Sequence, residues 1–337
     1  MKVSELGEAG LTNLLAGIVN STRDKTLPSW QQLFLGIGDD AAAWYGDSSI
    51  QLATVDALRQ GVHFTLETMD WPDLGWKALA VNLSDIAAMG GLPRYALVSL
   101  ALPEETEVEN VLELYRGIVE LACRFGVAII GGDTDRSPLI DISITVIGTT
   151  RGRDQPVLTR SAAKVGDKVA VTGYMGGAAG GREMLTKRLP FGSKATDSLR
   201  QAFRRPYPRV EVGQILVDKG VKAAIDISDG LIADLNHICH RSCVGARIEV
   251  DRVPVMPAVK ANFGARALEL ALSGGEDYEL LFTAGNEIIE QVKASTSCPI
   301  TVIGEIIADG ENEVSLVDDH GRPVRITKTG WEHFKTN

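Results

Sequence analysis

The chain has 337 residues, 45% hydrophobic and 23% charged, with 35 glycines and a formal net charge of −10. It is longer than one mode-sized core, so two domains of an ordinary globular kind are expected. The acidic balance argues against a nucleic-acid backbone or an anionic membrane as main partner, and four scattered cysteines make no disulfide framework.

The opening stretch MKVSELGEAGLTNLLAGIV carries acidic residues where a signal peptide would be cationic. No apolar run approaches the ~20 residues of a membrane span, so a cytoplasmic location is expected. Strand patterns follow in SIQLATVDAL, YALVSLALP, VAIIGG and DISITVIGTT, rich in β-branched residues and bounded by turn formers. Between them, VENVLELYRGIVELACRFG places Val108, Val111, Tyr115, Ile118, Ala122 and Phe125 at helical spacing. A polar, basic join, RGRDQPVLTRSAAKVGD (151–167), shows no apolar period and sets the expected boundary, giving domains 1–150 and 151–337. Beyond it, DKVAVTG, AAIDIS, ARIEVD, DYELLFTA and ITVIGEI read as strands and LIADLNHI as a helix. The expected fold class is α/β (α+β), two domains.

Acidic residues recur at strand ends or within apolar runs. Asp39 and Asp40 follow a glycine turn in LGIGDDAA, Asp56 ends the ATVDAL strand, and Asp133 follows IIGG. Asp226 and Asp229 flank Ser228 where a strand hands over to a helix. In WPDLGWKALAVNLSDIAAMGG, Leu74, Ala78, Val81 and Ala88 make a helical stripe that Asp85 shares. Any one of these is explained as a turn residue or helix cap. Together, with few basic residues beside them, they suit Mg²⁺, which binds through a few carboxylates plus substrate phosphates. The glycine pairs in GIGDD, GGDTD, TGYMGGAAGG and SGGED would let backbone N–H groups approach phosphate. No GxxxxGK[ST] and no protein-kinase signature set occurs.

GIGDDAA, VNLSDIAAMGGLPRYALVSLALP, GGDT, LTRSAAKVGDKVAVTG, IDISDGLIADL and SGGEDYELLF, in this order and spacing, resemble the aminoimidazole ribonucleotide synthetase-related family, within it the thiamine-monophosphate kinases. The resemblance runs from the first helix to GWEHF at 330–334. It implies two α/β domains of the aminoimidazole ribonucleotide synthetase-like type, with the N-terminal sheets of two protomers pairing into a dimeric barrel and ATP and Mg²⁺ bound between domains. It also implies ATP-dependent phosphorylation of thiamine monophosphate to thiamine diphosphate by direct in-line transfer, the last step of thiamine diphosphate biosynthesis. The metal role then falls on Asp40, Thr54, Asp56, Asp85, Asp133, Asp226 and Asp229. ATP contacts fall on Tyr115, Gly132, Asp133, Arg160 and Ser228, and substrate contacts on His63, Glu276 and Trp331. Gly274 and Gly275 would admit ligand close to backbone. The acceptor is an already ionised phosphate, so no covalent nucleophile is expected.

Three positions depart from the family pattern: Val55 replaces the second Thr of Thr-Thr-Asp, Gly177 replaces an Asp, and Asp135 is added in GGDTD. HICHRSC (237–243) holds four zinc-ligand types, but so short a helical stretch cannot wrap a tetrahedral ion, and core cysteines with surface histidines are expected. Two other readings stay open here: a ligase of the same superfamily, and a non-catalytic nucleotide or thiamine-phosphate binding protein.

Overall fold

The structure, a computed structural model, describes residues 1–37, 42–308, 311–326 and 330–331. The chain divides into two compact units, one of Met1–Ile86 with Leu92–Asp154, the other of Ala87–Gly91 with Gln155–Asn337.

The first unit runs through helices α1 (Val3–Ser21) and α2 (Pro28–Gln32), strands β1 (Leu33–Leu35), β2 (Ala43–Trp44) and β3 (Gln51–Arg59), and helix α3 (Trp71–Ala88). Strand β4 (Leu92–Leu102), helix α4 (Val108–Phe125) and strands β5 (Ala128–Arg136) and β6 (Asp141–Thr149) complete it. The predicted stripe of α4 is realised: Val111, Tyr115, Ile118 and Ala122 are buried, and the helix stops at Gly126 in the left-handed conformation. Strands β3 to β6 form a four-stranded sheet in the order β3-β6-β4-β5, parallel only between β4 and β5.

Alternation along these strands decides which side chains meet. Ile142, Ile144 and Val146 of β6 and Val98 and Leu100 of β4 are buried, whereas Ser143, Thr145 and Leu97 are half-buried and Ser99 is exposed. Register pairs Asp56 with Ile144 and Val55 with Thr145. Thr54 and Asp56 therefore lie on the core-facing side, and Val55, 60% exposed, lies on the open side.

The second unit contains β7 (Lys168–Thr172), α5 (Gly177–Lys187), α6 (Ser193–Arg204), α7 (Val210–Asp218), β8 (Ala223–Asp226) and α8 (Leu231–Ser242). It continues with β9 (Gly245–Glu249), α9 (Pro257–Phe263), α10 (Ala267–Ser273), β10 (Leu280–Ala284), α11 (Asn286–Lys293), β11 (Ile300–Ile307) and β12 (Val314–Val317). Its six-stranded sheet has the order β12-β9-β11-β7-β10-β8. Strand β10 lies between β7 and β8 and is buried throughout, which accounts for its unbroken apolar run. It begins at Leu280, so the residues Asp277, Tyr278 and Glu279, expected in the strand, belong instead to the loop before it. Val171, Ile225, Leu235, Leu281 and Ile303 are at the centre of this unit's core.

HICHRSC closes α8. Cys239 is buried and His240 exposed, whereas Cys243 is exposed just past the helix end with φ 55°, so only one of the two cysteines is a core residue. Among the described residues no helix is long and apolar enough to cross a membrane.

Candidate functional site

In the first unit, Thr54 Oγ1 donates to Asp85 Oδ2 at 2.5 Å, and the Asp56 N–H donates to Asn82 Oδ1 at 3.0 Å. Strand β3 thus lays its core-facing residues against α3, and the carboxylate in that helix's apolar stripe, half-buried, is bonded by a strand hydroxyl. Val55 lies on the opposite face, so the missing threonine takes no side-chain hydroxyl from the Thr54–Asp85 pair.

Asp133 sits on β5 opposite Ser99, after Gly131 and Gly132. A Cβ at Gly132 would lie 1.9 Å from the Val98 carbonyl oxygen, so strand packing alone requires glycine there. Tyr115, Gly132 and Asp133 line a cleft of about 880 Å³ together with Thr12, Ser143 and Thr145, a volume suited to a small-molecule ligand. Tyr115 belongs to the core and to the cleft wall at once. Asp135, the added acid, is exposed, and its Oδ1 accepts the Arg136 N–H at 2.6 Å. His63 closes the turn after β3, its Nδ1 accepting the Arg59 N–H at 3.0 Å. Asp40 lies outside the described residues.

In the second unit two loops interlock, residues 227–230 between β8 and α8 and residues 274–279 between α10 and β10. The Glu276 N–H donates to the Ser228 carbonyl at 2.8 Å and the Tyr278 N–H to the Ile227 carbonyl at 2.9 Å. The Trp331 N–H reaches the Asp229 carbonyl at 3.0 Å. Asp226, Ser228, Asp229, Glu276 and Trp331, about 100 positions apart in sequence at the extremes, are thereby carried on one hydrogen-bonded assembly. Glu276 (φ 63°) and Tyr278 (φ 49°) are left-handed, a conformation that costs a residue with a Cβ roughly 1–2 kcal/mol. The bonds to 227 and 228 hold them there. Gly275 has φ 68°, and a Cβ on it would lie 2.6 Å from the Ser228 carbonyl oxygen; one on Gly274 would lie 2.3 Å from Ala179 Cβ. Packing of the loop against its neighbours by itself requires glycine at both positions.

The acids of this region divide by task. Glu279, buried, accepts from Arg209 Nε at 2.6 Å, Arg209 Nη2 at 2.5 Å and Thr172 Oγ1 at 2.5 Å. Asp277 accepts the N–H of Gly176 at 2.6 Å and of Ala178 at 3.1 Å, capping α5 from a distant loop, and burial pushes its carboxyl up to about 7. At Gly177, a Cβ would meet Met256 Sδ at 2.6 Å and would lie 3.9 Å from Asp277 Oδ1. A side chain at 177 would therefore start beside the carboxylate of Asp277, which already accepts N–H groups of that helix end. Glu276 lies 3.7 Å from Arg182.

Asp234, on the first turns of α8 and buried, accepts the N–H of Ser228, Asp229 and Gly230 at 3.0, 3.1 and 3.0 Å on one oxygen, Oδ2. The Ser228 amide is thereby engaged within the chain. Burial and then the nearby Asp226 and Asp229 push the Asp234 carboxyl well above the usual carboxylate range. Ligand atoms of Asp229, Asp234 and His237 lie within 4.8 Å of one another. Arg160 follows Thr159, which bridges to Ala223, and its carbonyl accepts Ser242 Oγ at 2.9 Å. Hard carboxylate oxygens crowded together in this way fit a small hard dication such as Mg²⁺, which would offset their mutual repulsion. Sequence patterning missed Asp234, Asp277, Glu279 and Arg209. The one local signal was an acid in the first turns of α8, where a helix N-terminus favours negative charge.

The N-terminal domain of the AIR synthase related proteins matches residues 38–150, and their C-terminal domain matches residues 164–317. Thiamine-monophosphate kinase of Bacillus subtilis (strain 168) is 39% identical over 311 residues, covering 89% of this chain and 94% of that protein. The crystal structure of thiamine-monophosphate kinase from Stenotrophomonas maltophilia K279a is similar with a TM-score of 0.81 at 37% identity, covering 92% of this chain and 96% of that one. The solved structure of AaThiL complexed with AMPPCP and TMP is similar with a TM-score of 0.76 at 34% identity, covering 99% of each chain. Matched in both domains and alike over nearly its whole length, the chain belongs to the AIR synthase related family and, within it, to the thiamine-monophosphate kinases.

Proposed function

We propose that this chain is a phosphotransferase that uses ATP to convert thiamine monophosphate to thiamine diphosphate, with ADP as the other product, the last step of thiamine diphosphate biosynthesis. The observation that carries this reading is the linked pair of loops bearing Asp226, Ser228, Asp229, Glu276 and Trp331, in a chain 34% identical to a relative solved with AMPPCP and TMP.

Asp56, Asp85 and Asp133 with Thr54 in the first unit, and Asp226 and Asp229 in the second, are the proposed Mg²⁺ ligands, with Asp40 outside the described residues. Bound magnesium supplies positive charge that offsets the repulsion between donor and acceptor phosphates. The chain's own part is positional. Tyr115, Gly132 and Asp133 border the cleft proposed for ATP, and Arg160 and the Ser228 hydroxyl are proposed as further nucleotide contacts. Glu276 offers negative charge to the cationic thiamine, with Trp331 as an aromatic neighbour and His63 as a further substrate contact. Because the attacking oxygen is already ionised, transfer is in line and direct, without a protein nucleophile or dedicated base. Residues 1–150 are proposed as the ATP, Mg²⁺ and dimerisation portion and 151–337 as the portion completing the nucleotide and substrate contacts. The four-stranded sheet is proposed to pair with that of a second copy as a homodimeric barrel. The working location is the cytoplasm, with neither nucleic acid nor membrane as partner.

The test is formation of ADP and thiamine diphosphate by purified protein given ATP, Mg²⁺ and thiamine monophosphate, with free thiamine as a parallel acceptor. Equal amounts of both products, from the monophosphate alone, are expected. Binding of both ligands without product would overturn the assignment.

A further inference from the structure

Asp234 has no place in the reaction above, yet a single oxygen of its carboxylate takes a whole run of loop amides. One buried oxygen receives three consecutive N–H groups, those of Ser228, Asp229 and Gly230. Three adjacent amides aimed at one point curl the backbone into a concave nest, a shape that elsewhere receives an anion from outside. Here the chain supplies its own anion from the helix that the loop feeds. The curl fixes the backbone of Asp229, whose carbonyl in turn receives the Trp331 N–H at 3.0 Å, and of Ser228, whose carbonyl receives the Glu276 N–H at 2.8 Å. Without the acceptor, three inward N–H groups, that of Gly230 buried, would be unsatisfied, and the loop would turn them toward water.

We infer that Asp234 is a positioning residue: by gathering the amides of 228–230 it presets the direction in which Asp229 offers its carboxylate to the divalent cation. This rests on the reading of Asp229 as a metal ligand. The geometry separates an acceptor role from a ligand role, because asparagine keeps an oxygen able to accept the same three N–H groups but is a poor ligand for a hard dication.

The probe is Mn²⁺ alone, its binding to nucleotide-free protein read from the signal of free Mn²⁺ in electron paramagnetic resonance, with thermal unfolding of each variant in parallel. Asp234→Asn is expected to bind Mn²⁺ within about threefold of wild type and Asp234→Ala at least tenfold more weakly, as loss of an outer partner typically costs 10–100-fold. Equal weakening in both variants overturns the inference, since Asp234 would then be a ligand itself. Wild-type affinity in Asp234→Ala with a lowered unfolding midpoint also overturns it, leaving Asp234 a stabiliser of the fold only. If the alanine variant does not fold, Asp234→Asn decides alone, and weakening beyond tenfold refutes the positioning role. Asp229→Asn tests the underlying reading separately: unchanged Mn²⁺ binding there removes Asp229 as a ligand and the inference with it, whatever the Asp234 variants do.

Discussion

The carboxylates of the two units are held in opposite ways. In the first unit they ride on regular elements: Asp56 on β3, Asp133 on β5 and Asp85 on α3, with Thr54 bonded to Asp85. In the second they lie in or beside two loops whose backbone turns left-handed at Gly275, Glu276 and Tyr278, and three further acids, Asp234 and Glu279 buried and Asp277 half-buried, hold those loops. A strand or helix aims a side chain by its own repeat, whereas a loop must be given its shape by tertiary hydrogen bonds. Where the proposed metal-binding acids sit on loops, an inner set of acids fixes the backbone that carries them.

The largest expected effects test whether the two outer sets do the same work. Asp85→Asn and Asp226→Asn should each abolish phosphoryl transfer at limiting Mg²⁺, a loss beyond the roughly 10–100-fold typical of an outer-shell partner, while leaving folded protein. Full activity in either would dissolve the shared metal role. Their metal-free stabilities should differ, which sharpens the contrast. Asp226 is one of the charges that burden Asp234, so Asp226→Asn should raise the unfolding midpoint in chelator. Asp85→Asn, which weakens the charge-assisted bond from Thr54, should not.

A second comparison sets the inner acids against the surface. Arg209 and Glu279 form a two-pronged pair with side chains 25% and 9% exposed, and Thr172 completes it. Arg209→Ala leaves that carboxylate buried without its cation and should cost about 3 kcal/mol in denaturant unfolding. Arg116→Ala, which removes an exposed pair with Glu113 on α4, should leave the midpoint unchanged. Equal losses would mean that the inner acids are no more structural than surface charges.

The same contrast explains what could be read in the sequence. Helix α4, strands β3 to β6 and the oddity of Asp85 in an apolar stripe all follow from periods of 3.6 and 2, which are local. The SGGEDYELLF run was legible as unusual but not in its parts. Its alternation made Asp277 and Glu279 look like strand residues, whereas tertiary bonds to Gly176, Ala178 and Arg209, 70 to 101 positions away, keep them in the loop. Val55 and Gly177 stood out as departures from the family pattern. Register turns Val55 to the other face of its sheet, and Asp277 reaches the helix end where position 177 has no carboxylate. Pairing and long-range capping are not local properties, so composition and spacing could not reveal them.

The smallest predicted effect concerns Asp277, and its sign follows from its environment. An unfolded Asp titrates near 4, whereas burial pushes the native carboxyl up to about 7 despite the N–H groups of Gly176 and Ala178. Between those values the native state binds more protons than the unfolded one, so this group's contribution is fully present below about pH 4 and is lost as pH rises through about 7. Metal-free protein should therefore unfold at a progressively lower temperature from pH 5 to pH 8, and Asp277→Asn should flatten part of that slope. Asp234 slopes the same way, so some dependence should survive the substitution. An Asp277→Asn protein as pH-dependent as wild type would show that the α5 cap is made by a carboxylate already ionised throughout this range, and the division between inner and outer acids would then rest on geometry without a matching difference in charge.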